Sequence, residues 1–244
     1  MNPNLERADN FLPRIDDGRY TPNAVDRRLV TLTAPASGAA EQYRSLYYRL
    51  ERMRERRPMG VVAITSALPG EGKTMTAVNL ALTSARANPE RRILLVDADL
   101  RCSQVAATLG IRGRPGLAEL VAGDCEPDEA LRRFLATQLV VLPAGGAPED
   151  PAALLGSAQT KRFLEAMRSN FEEIYLDLPP ALPFADASIL GCLADGVVLV
   201  VRASVTSHQR VLQTIDLLAG APLVGCVLNA AEPTSTQYLS VPTG

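Results

Sequence analysis

The segment VVAITSALPGEGKT, residues 61–74, decides the fold predicted for this chain of 244 residues. It opens with a short apolar run, residues 61–65, which is typical of a buried strand, and continues into a turn that contains two glycines. Residues 73–87 follow and are rich in alanine and leucine, which favour a helix. The three parts predict a strand, a loop and a helix in immediate succession.

The loop of this segment follows the phosphate-loop pattern G-x4-G-K-[ST], with Ala67 in place of the first glycine. Gly70 and Gly72 allow backbone N–H groups to turn inward around a phosphate. Lys73 is expected to place a cation on the β- and γ-phosphates, and Thr74 to offer its hydroxyl to Mg2+. Only two of the 25 basic residues are lysines, which strengthens this interpretation. The loop residues expected to contact a nucleotide are Gly70, Glu71, Gly72, Lys73, Thr74 and Met75.

The alternation of apolar strands and helices continues to residue 228. Further strands are predicted at 92–97, 139–142, 174–177, 197–201 and 223–228, with short helices within 101–136 and 151–170 and a helix at 207–218. Continuous apolar strands that alternate with helices are typical of a parallel sheet covered on both faces. The sequence therefore predicts a doubly wound α/β fold with a mainly parallel sheet.

Three parts of the chain differ in composition. Residues 1–36 contain four prolines and no sustained period, so we expect a flexible or loosely docked arm. Residues 37–230 are expected to form the phosphate-loop domain, including an N-terminal helix over about 38–57 with an apolar stripe opposite a charged face. Residues 231–244 are polar, contain two prolines and are expected to form a C-terminal tail.

Three aspartates lie where predicted strands end. Asp97 and Asp99 follow the second strand, and Asp177 ends the fourth. Ligands of open α/β sheets bind at the carboxyl ends of the strands, so these carboxylates are placed to hold Mg2+ and to orient a nucleophile. Aspartate also caps helices at such turns, and the sequence alone leaves that structural role open.

The overall composition argues against several classes of protein. A formal net charge of −2 argues against a protein that coats nucleic acid by bulk charge. No run of about 18 apolar residues occurs, and the polar N-terminus predicts no secretory signal. Four scattered cysteines favour reduced thiols in a cytosol. The single histidine, His208, leaves no basis for a histidine zinc site or a histidine-dependent triad.

Four segments resemble the bacterial tyrosine kinases of capsule and exopolysaccharide synthesis. Residues 66–74 are similar to the family's Walker A motif, residues 96–101 (VDADLR) to its additional Walker A′ motif, and residues 174–180 (IYLDLPP) to its Walker B motif. Residues 142–155 resemble its proline-rich segment. The resemblance extends over roughly residues 38–230 and implies an ATP-dependent protein-tyrosine autokinase that regulates capsular or exopolysaccharide synthesis and export.

The resemblance also implies roles for single residues. Asp97 would act near the attacking hydroxyl, as a base or as a Mg2+ contact, while Asp99 would support the metal and Asp177 would hold it directly or through water. Asn229 matches a position that contacts the adenine, although an asparagine in a turn also fits a structural role. The implied catalytic residues are Lys73, Asp97, Asp99 and Asp177, and the implied Mg2+ ligands are Thr74, Asp97 and Asp177.

The resemblance further implies partners. Glu41 and Arg44 are similar to the start of the family's oligomerisation motif, E-x-x-R-x-x-R, which implies a homo-oligomer; a solvated charged face explains them equally well. The implied activator is a separate membrane polysaccharide co-polymerase. This chain would then be cytoplasmic and peripheral to the inner membrane through that partner. The implied cofactors are ATP and Mg2+, and no nucleic acid partner is expected.

The C-terminal end departs from the family's pattern. Residues 229–244 contain one tyrosine, Tyr238, where the family carries a tyrosine cluster that it autophosphorylates. Tyr238 is the predicted phosphosite, and the three tyrosines of the N-terminal helix are interpreted as core residues. Two alternatives stay open. One is an ATPase switch, although Leu68 stands where that class carries a second loop lysine. The other is a non-catalytic scaffold that binds nucleotide.

Overall fold

The computed structural model describes residues 25–134, 137 and 139–231. Over these residues the strands are β1 Val61–Ser66, β2 Ile93–Asp97, β3 Arg132–Arg133, β4 Leu139–Leu142, β5 Glu173–Asp177, β6 Gly196–Arg202 and β7 Leu223–Asn229. The helices are α1 Val30–Thr33, α2 Gly38–Arg54, α3 Lys73–Ala87, α4 Val105–Leu109, α5 Leu117–Ala122, α6 Pro127–Ala130, α7 Pro151–Leu155, α8 Ala158–Asn170, α9 Asp186–Gly191 and α10 His208–Leu217. In the described part of the chain, no helix has the length and apolar character needed to cross a bilayer.

The strands form one sheet in the order β3-β4-β2-β5-β1-β6-β7. Neighbouring strands run parallel except β3 and β4, where Arg132 pairs with Val141 in the antiparallel direction. The predicted doubly wound α/β fold with a mainly parallel sheet is therefore confirmed. The edge strand β3 was not predicted, because its two arginines carry no apolar strand pattern.

Both faces of the sheet are covered, as the continuous apolar strands require. Val61 and Ala63 on β1 pack in the core that includes residues of α5, α8 and α9, whereas Val62 and Ile64 pack in the core that includes residues of α2 and α3. All six residues of β1 are buried. Burial on both faces is typical of strands in parallel sheets. Because β1 and β5 are central strands, the loops that follow them lie at the middle of one sheet edge.

The predicted N-terminal helix is α2, which ends at Arg54 and is anchored to the domain. Arg54 Nη1 lies 2.9 Å from a carboxylate oxygen of Glu173, a β5 residue that is 1% exposed. The other oxygen of Glu173 accepts a hydrogen bond from Arg91 Nη1 at 2.7 Å. Removing one partner from such a buried network leaves an uncompensated charge, which is strongly destabilising. The network therefore fixes the end of α2 to the sheet.

The structure differs from the expected arm over residues 25–36, which pack against the domain. Val25 and Leu29 are buried in the same core as α2 and α3. The backbone N–H of Thr31 donates to Asn79 Oδ1 on α3 at 3.1 Å. A few apolar residues separated by arginines and a proline give no helical or strand period, so the sequence did not reveal this packing.

Candidate active site

The phosphate loop joins β1 to α3 and has the conformation that its glycines permit. Gly70 and Gly72 adopt φ angles of 80° and 98°, in the left-handed region that favours glycine. A Cβ atom on Gly72 would lie 2.0 Å from Asn229 Nδ2, so a larger residue would have to displace Asn229. α3 begins at Lys73, and its first N–H groups have no intrahelical acceptor. The loop and the helix start together form a site suited to an anion.

Lys73 points into a cluster of carboxylates. Its Nζ lies 2.7 Å from Asp99 Oδ2 and 3.8 Å from Asp177 Oδ1, and it donates to Thr74 Oγ1 at 3.3 Å. Burial alone would lower the pKa of Lys73, but attraction to Asp177 and Asp99 outweighs it and raises the pKa above its ordinary value. The ammonium therefore stays charged, as contact with a phosphate requires.

Asp97 lies beside Asp177, because β2 and β5 are neighbouring strands and these two residues are paired in register. Asp97 is fully buried and accepts hydrogen bonds from the N–H groups of Asp99 at 3.2 Å and Val105 at 3.1 Å. Burial and the nearby charge of Asp177 raise the pKa of Asp97 to about 8. A carboxyl with a pKa near neutrality is suited to hold or release a proton.

Asp177 is a buried carboxylate whose neighbouring cation, Lys73, lies 3.8 Å away, beyond hydrogen-bond distance. Both of its oxygens are buried, and neither makes a hydrogen bond to the described residues. Burial raises its pKa, although attraction to Lys73 partly opposes the shift. A buried carboxylate without hydrogen bonds costs free energy, and the raised pKa indicates that Lys73 compensates that cost only in part, which leaves room for a further cation. Asp177 therefore fits a magnesium ligand.

The neighbours of Asp177 fit the same ion. Mg2+ is usually bound by one or two carboxylates together with waters and substrate phosphates. The hydroxyl of Thr74 and the carboxylate of Asp97 are the other predicted protein ligands, and both belong to this cluster. Within the described residues, no group of three or more His, Cys, Asp or Glu side chains is arranged to hold a metal ion.

The remaining predicted loop contacts fall into different places. The carboxylate of Glu71 is buried and accepts from the N–H of Leu68 at 3.0 Å, so its side chain faces the loop's own backbone. Asn229 Nδ2 donates to the carbonyl of Glu71 at 2.8 Å, which places Asn229 directly on the loop. Met75 is partly buried against the core that contains α3. Of these side chains, that of Asn229 contacts the loop backbone from another strand, and its expected contact with the adenine stays a prediction.

An ion pair that no sequence motif predicts links the loop after β2 to the start of α9, the helix that follows β5. Arg101 Nε and Nη2 donate to the two carboxylate oxygens of the buried Asp186 at 2.7 and 3.2 Å. The guanidinium of Arg101 also lies 4.3 Å from the ring centroid of Phe184. A bidentate pair of this kind fixes the position of the loop after β2 relative to α9. Asp186 stands nine residues after Asp177 outside the quoted motifs, so only the folded structure connects it to Arg101.

The predicted oligomerisation residues and tyrosines lie elsewhere. Arg44 Nε donates to Glu41 Oε2 at 2.7 Å, so these two side chains pair with each other on α2. Tyr48 is 57% exposed, which corrects its interpretation as a core residue, while Tyr47 is buried as predicted. The geometry of α2 explains this, because consecutive helical residues point about 100° apart. Tyr238 lies outside the described residues.

Comparison with known proteins gives the family. The sequence model of the AAA domain matches residues 59–221. The tyrosine-protein kinase YwqD of Bacillus subtilis is 34% identical over 210 residues, which cover 85% of this chain and 88% of that protein. The chain belongs to the bacterial tyrosine kinases. It is a tyrosine-protein kinase with the P-loop fold and binds nucleotide.

Two further comparisons place this kinase among its relatives. The kinase domain of Escherichia coli tyrosine kinase ETK aligns with a TM-score of 0.80 and 27% identity, over 86% of this chain and 83% of that chain. The succinoglycan biosynthesis transport protein ExoP of Rhizobium meliloti is 32% identical over 211 residues. That match covers 83% of this chain but 26% of ExoP, so the kinase spans about a quarter of that relative.

The buried aspartates predict how the stability of this kinase depends on pH. The pKa of Asp97 in the folded protein is about 8, and that of Asp177 is also raised, whereas both are near 3.9 in the unfolded chain. Between about pH 5 and 8 the folded state therefore binds more protons, and the free energy of unfolding without nucleotide and Mg2+ falls by roughly 2 kcal/mol or more as pH rises.

Urea unfolding at pH 5.5, 7 and 8.5 measures this change. The fall should be smaller in the Asp97→Asn protein, which has lost one of the two titrating groups. Carboxylates that are paired in the folded state, such as Glu51 and Asp195, have lowered pKa values. Their contribution to the free energy of unfolding therefore changes with pH only below this pH range. An unfolding free energy that rises from pH 5.5 to 8.5 in wild type would contradict the prediction.

Proposed function

We propose that this kinase transfers the γ-phosphoryl group of ATP to tyrosine on another copy of the same chain, with Mg2+ as cofactor. The observation that carries the proposal is the position of Lys73 at the phosphate loop, between Asp99 and Asp177, whose buried carboxylate makes no hydrogen bond to a described residue. A loop for phosphates, a cation for their charge and a carboxylate available to a metal are parts that phosphoryl transfer uses.

Each residue has a distinct task in this proposal. The N–H groups of the loop and of the start of α3 hold the phosphates, and Lys73 spreads its charge over the β- and γ-oxygens. Thr74, Asp97 and Asp177 would hold Mg2+, which neutralises charge on the phosphates when bound. Asp97, which lies beside Asp177, would serve either as one of these Mg2+ contacts or, when not bound to the metal, as the group that accepts the proton leaving the tyrosine hydroxyl.

The biological setting is proposed from the relatives. The similarity to ExoP, a succinoglycan biosynthesis transport protein, supports a role in the synthesis and export of capsular or extracellular polysaccharide. We propose that a membrane polysaccharide co-polymerase binds and activates this kinase and holds it at the cytoplasmic face of the inner membrane. Glu41 and Arg44 on α2 are the proposed contacts of a homo-oligomer, in which one subunit presents its tyrosine to the next.

Tyr238 is the predicted acceptor, and its phosphorylation tests the proposed function. It follows the end of β7 by nine residues, which span at most about 30 Å when extended, and we propose that this length serves to reach the active site of a neighbouring copy. Incubation with labelled ATP and Mg2+, with and without the cytoplasmic tail of a candidate co-polymerase, should label Tyr238. The Tyr238→Phe protein should lose most of the label, whereas the Tyr48→Phe control should keep it.

A mixing experiment separates transfer within a chain from transfer between chains. The Lys73→Met protein keeps Tyr238 but lacks the loop cation, and the Tyr238→Phe protein keeps the loop but lacks the acceptor. Label on the Lys73→Met chain in a mixture of the two shows transfer between chains. No phosphotyrosine in wild type, even with the activator, would favour the nucleotide-dependent switch or the scaffold. The observation that keeps this alternative open is that residues 229–244 contain a single tyrosine.

A further inference from the structure

Two segments outside the quoted motifs hold the outer side of the phosphate loop. The first is the turn at the end of β6, residues 202–206, which begins with the strand's last residue, and the second is the end of β7. Arg202 Nη1 donates to the carbonyl oxygen of Gly70 at 3.2 Å. The hydroxyl of Thr206 donates to a carboxylate oxygen of Glu71, and Asn229 Nδ2 donates to the carbonyl oxygen of Glu71 at 2.8 Å. Three groups of the loop are thus held from one side.

These contacts decide which way the loop's N–H groups point. In a trans peptide the carbonyl of one residue and the N–H of the next point in opposite directions. Holding the carbonyls of Gly70 and Glu71 on the outer side therefore directs the N–H groups of Glu71 and Gly72 to the inner side. Within the described chain, neither of these two N–H groups donates to a protein acceptor. They are free to bind phosphate oxygens, as in other phosphate-binding loops.

The turn itself is well braced. Thr206 Oγ1 accepts a hydrogen bond from the N–H of Arg202 at 3.2 Å, and the N–H of Thr206 donates to the carbonyl of Arg202 at 3.0 Å. The N–H of Ala203 donates to the carbonyl of Asn229 at 2.9 Å, which ties the turn to β7. Thr206 therefore links the turn to the buried carboxylate of Glu71, and that carboxylate reaches back to the N–H of Leu68.

We infer that Arg202 and Thr206 are positioning residues that orient the peptides of the phosphate loop for the β-phosphate without themselves touching the nucleotide. The inference rests on the proposed use of this loop for ATP. Because the loop's N–H groups bind phosphate in the ground state and in the transition state alike, their loss should raise the KM for ATP and leave kcat nearly unchanged. The loss should also lower the affinity for ADP more than the affinity for AMP, because AMP lacks the β-phosphate.

The Thr206→Val protein tests this inference, because valine keeps the shape of threonine and removes its hydroxyl. We expect the Kd for ADP and the KM for ATP to rise about five- to tenfold, the effect of losing one hydrogen bond of ordinary strength. The affinity for AMP, measured by competition, and kcat at saturating ATP should stay within about twofold of wild type. The Thr206→Ser protein keeps the hydroxyl and should therefore bind ADP with nearly the affinity of wild type.

Arg202→Met is a second variant, because Arg202 is exposed and its replacement does not disturb the core. It should lower the affinity for ADP in the same way. Arg210→Met is the control, because it removes a charge from an exposed residue of the adjacent helix and should leave the affinity unchanged. Thermal unfolding of each protein checks that the fold is kept. Wild-type ADP affinity in both Thr206→Val and Arg202→Met, or an equal loss for AMP and ADP, would overturn the inference. Wild-type protein that binds neither ADP nor ATP would instead overturn the proposed function.

Discussion

The Lys73→Met protein is expected to bind ATP at least about tenfold more weakly than wild type and to lose phosphoryl transfer. Methionine keeps most of the length of the lysine side chain but has no charge to place on the phosphates. The loop backbone remains, so some binding through its N–H groups should persist. Titration calorimetry with ATP and Mg2+ measures the affinity, and labelled ATP measures the transfer.

Lys161→Met is the matched control for this experiment. Lys161 is the second of the two lysines in the chain and is exposed on α8, so its replacement removes the same charge away from the loop. The Lys73→Met protein should also be less stable without nucleotide, because Asp99 and Asp177 lose their cation. Uptake of a proton by Asp97 or Asp177 reduces that cost. Unchanged ATP affinity in folded Lys73→Met protein would contradict the assignment of the loop.

Much of the fold could be predicted because its strands are buried on both faces. A continuous apolar run such as β4, Leu139–Leu142, identifies a strand without knowledge of its neighbours. The short helix α1 and the strand β3 could not be predicted in this way. The first depends on a contact with a distant residue, Thr31 with Asn79, and the second on pairing across a short loop, Arg132 with Val141. Such contacts leave no period in the local sequence.

Some residues of the candidate site could be predicted from the sequence, and others could not, for the same reason. Lys73, Asp97 and Asp177 stand at the ends of predicted strands or at the loop, and neighbouring parallel strands bring their ends to one edge of the sheet. Their approach therefore follows from the topology. Asp186 and Thr206 act through side-chain hydrogen bonds to residues far away in the chain, Arg101 and Glu71. No motif marks an aspartate or threonine whose partner is known only after folding.

The structure also shows why the lack of hydrogen bonds to Asp177 could not be predicted. The sequence places a carboxylate at the end of β5, which suits a metal ligand and a helix cap equally well. In the folded protein both oxygens are buried, and neither caps a helix or makes a hydrogen bond to a described residue. This distinguishes Asp177 from Asp97, which accepts two backbone hydrogen bonds. The difference gives the two carboxylates separate experimental signatures.

The Asp177→Asn protein is expected to lose about a hundredfold or more in phosphoryl transfer and, without nucleotide, to become more stable than wild type. The first effect follows from loss of the charge that would hold Mg2+. The second follows from the raised pKa of Asp177, about 6. The raised value means that the free-energy cost of burying its charge exceeds the stabilisation from the attraction to Lys73. The cost removed by asparagine is about 1–3 kcal/mol at pH 7.5.

Urea unfolding and turnover measured on the same samples distinguish a ligand from a structural residue. The Asp177→Asn amide gains donors beside the carboxylates of Asp97 and Asp99, so the substitution introduces no repulsion. Asp216→Asn is the control, because Asp216 is exposed on α10 and should change neither quantity. If Asp177 served only the fold, the variant would be less stable and turnover would fall no further than the folded fraction. Wild-type turnover in the stable variant would show that the carboxylate takes no part in catalysis.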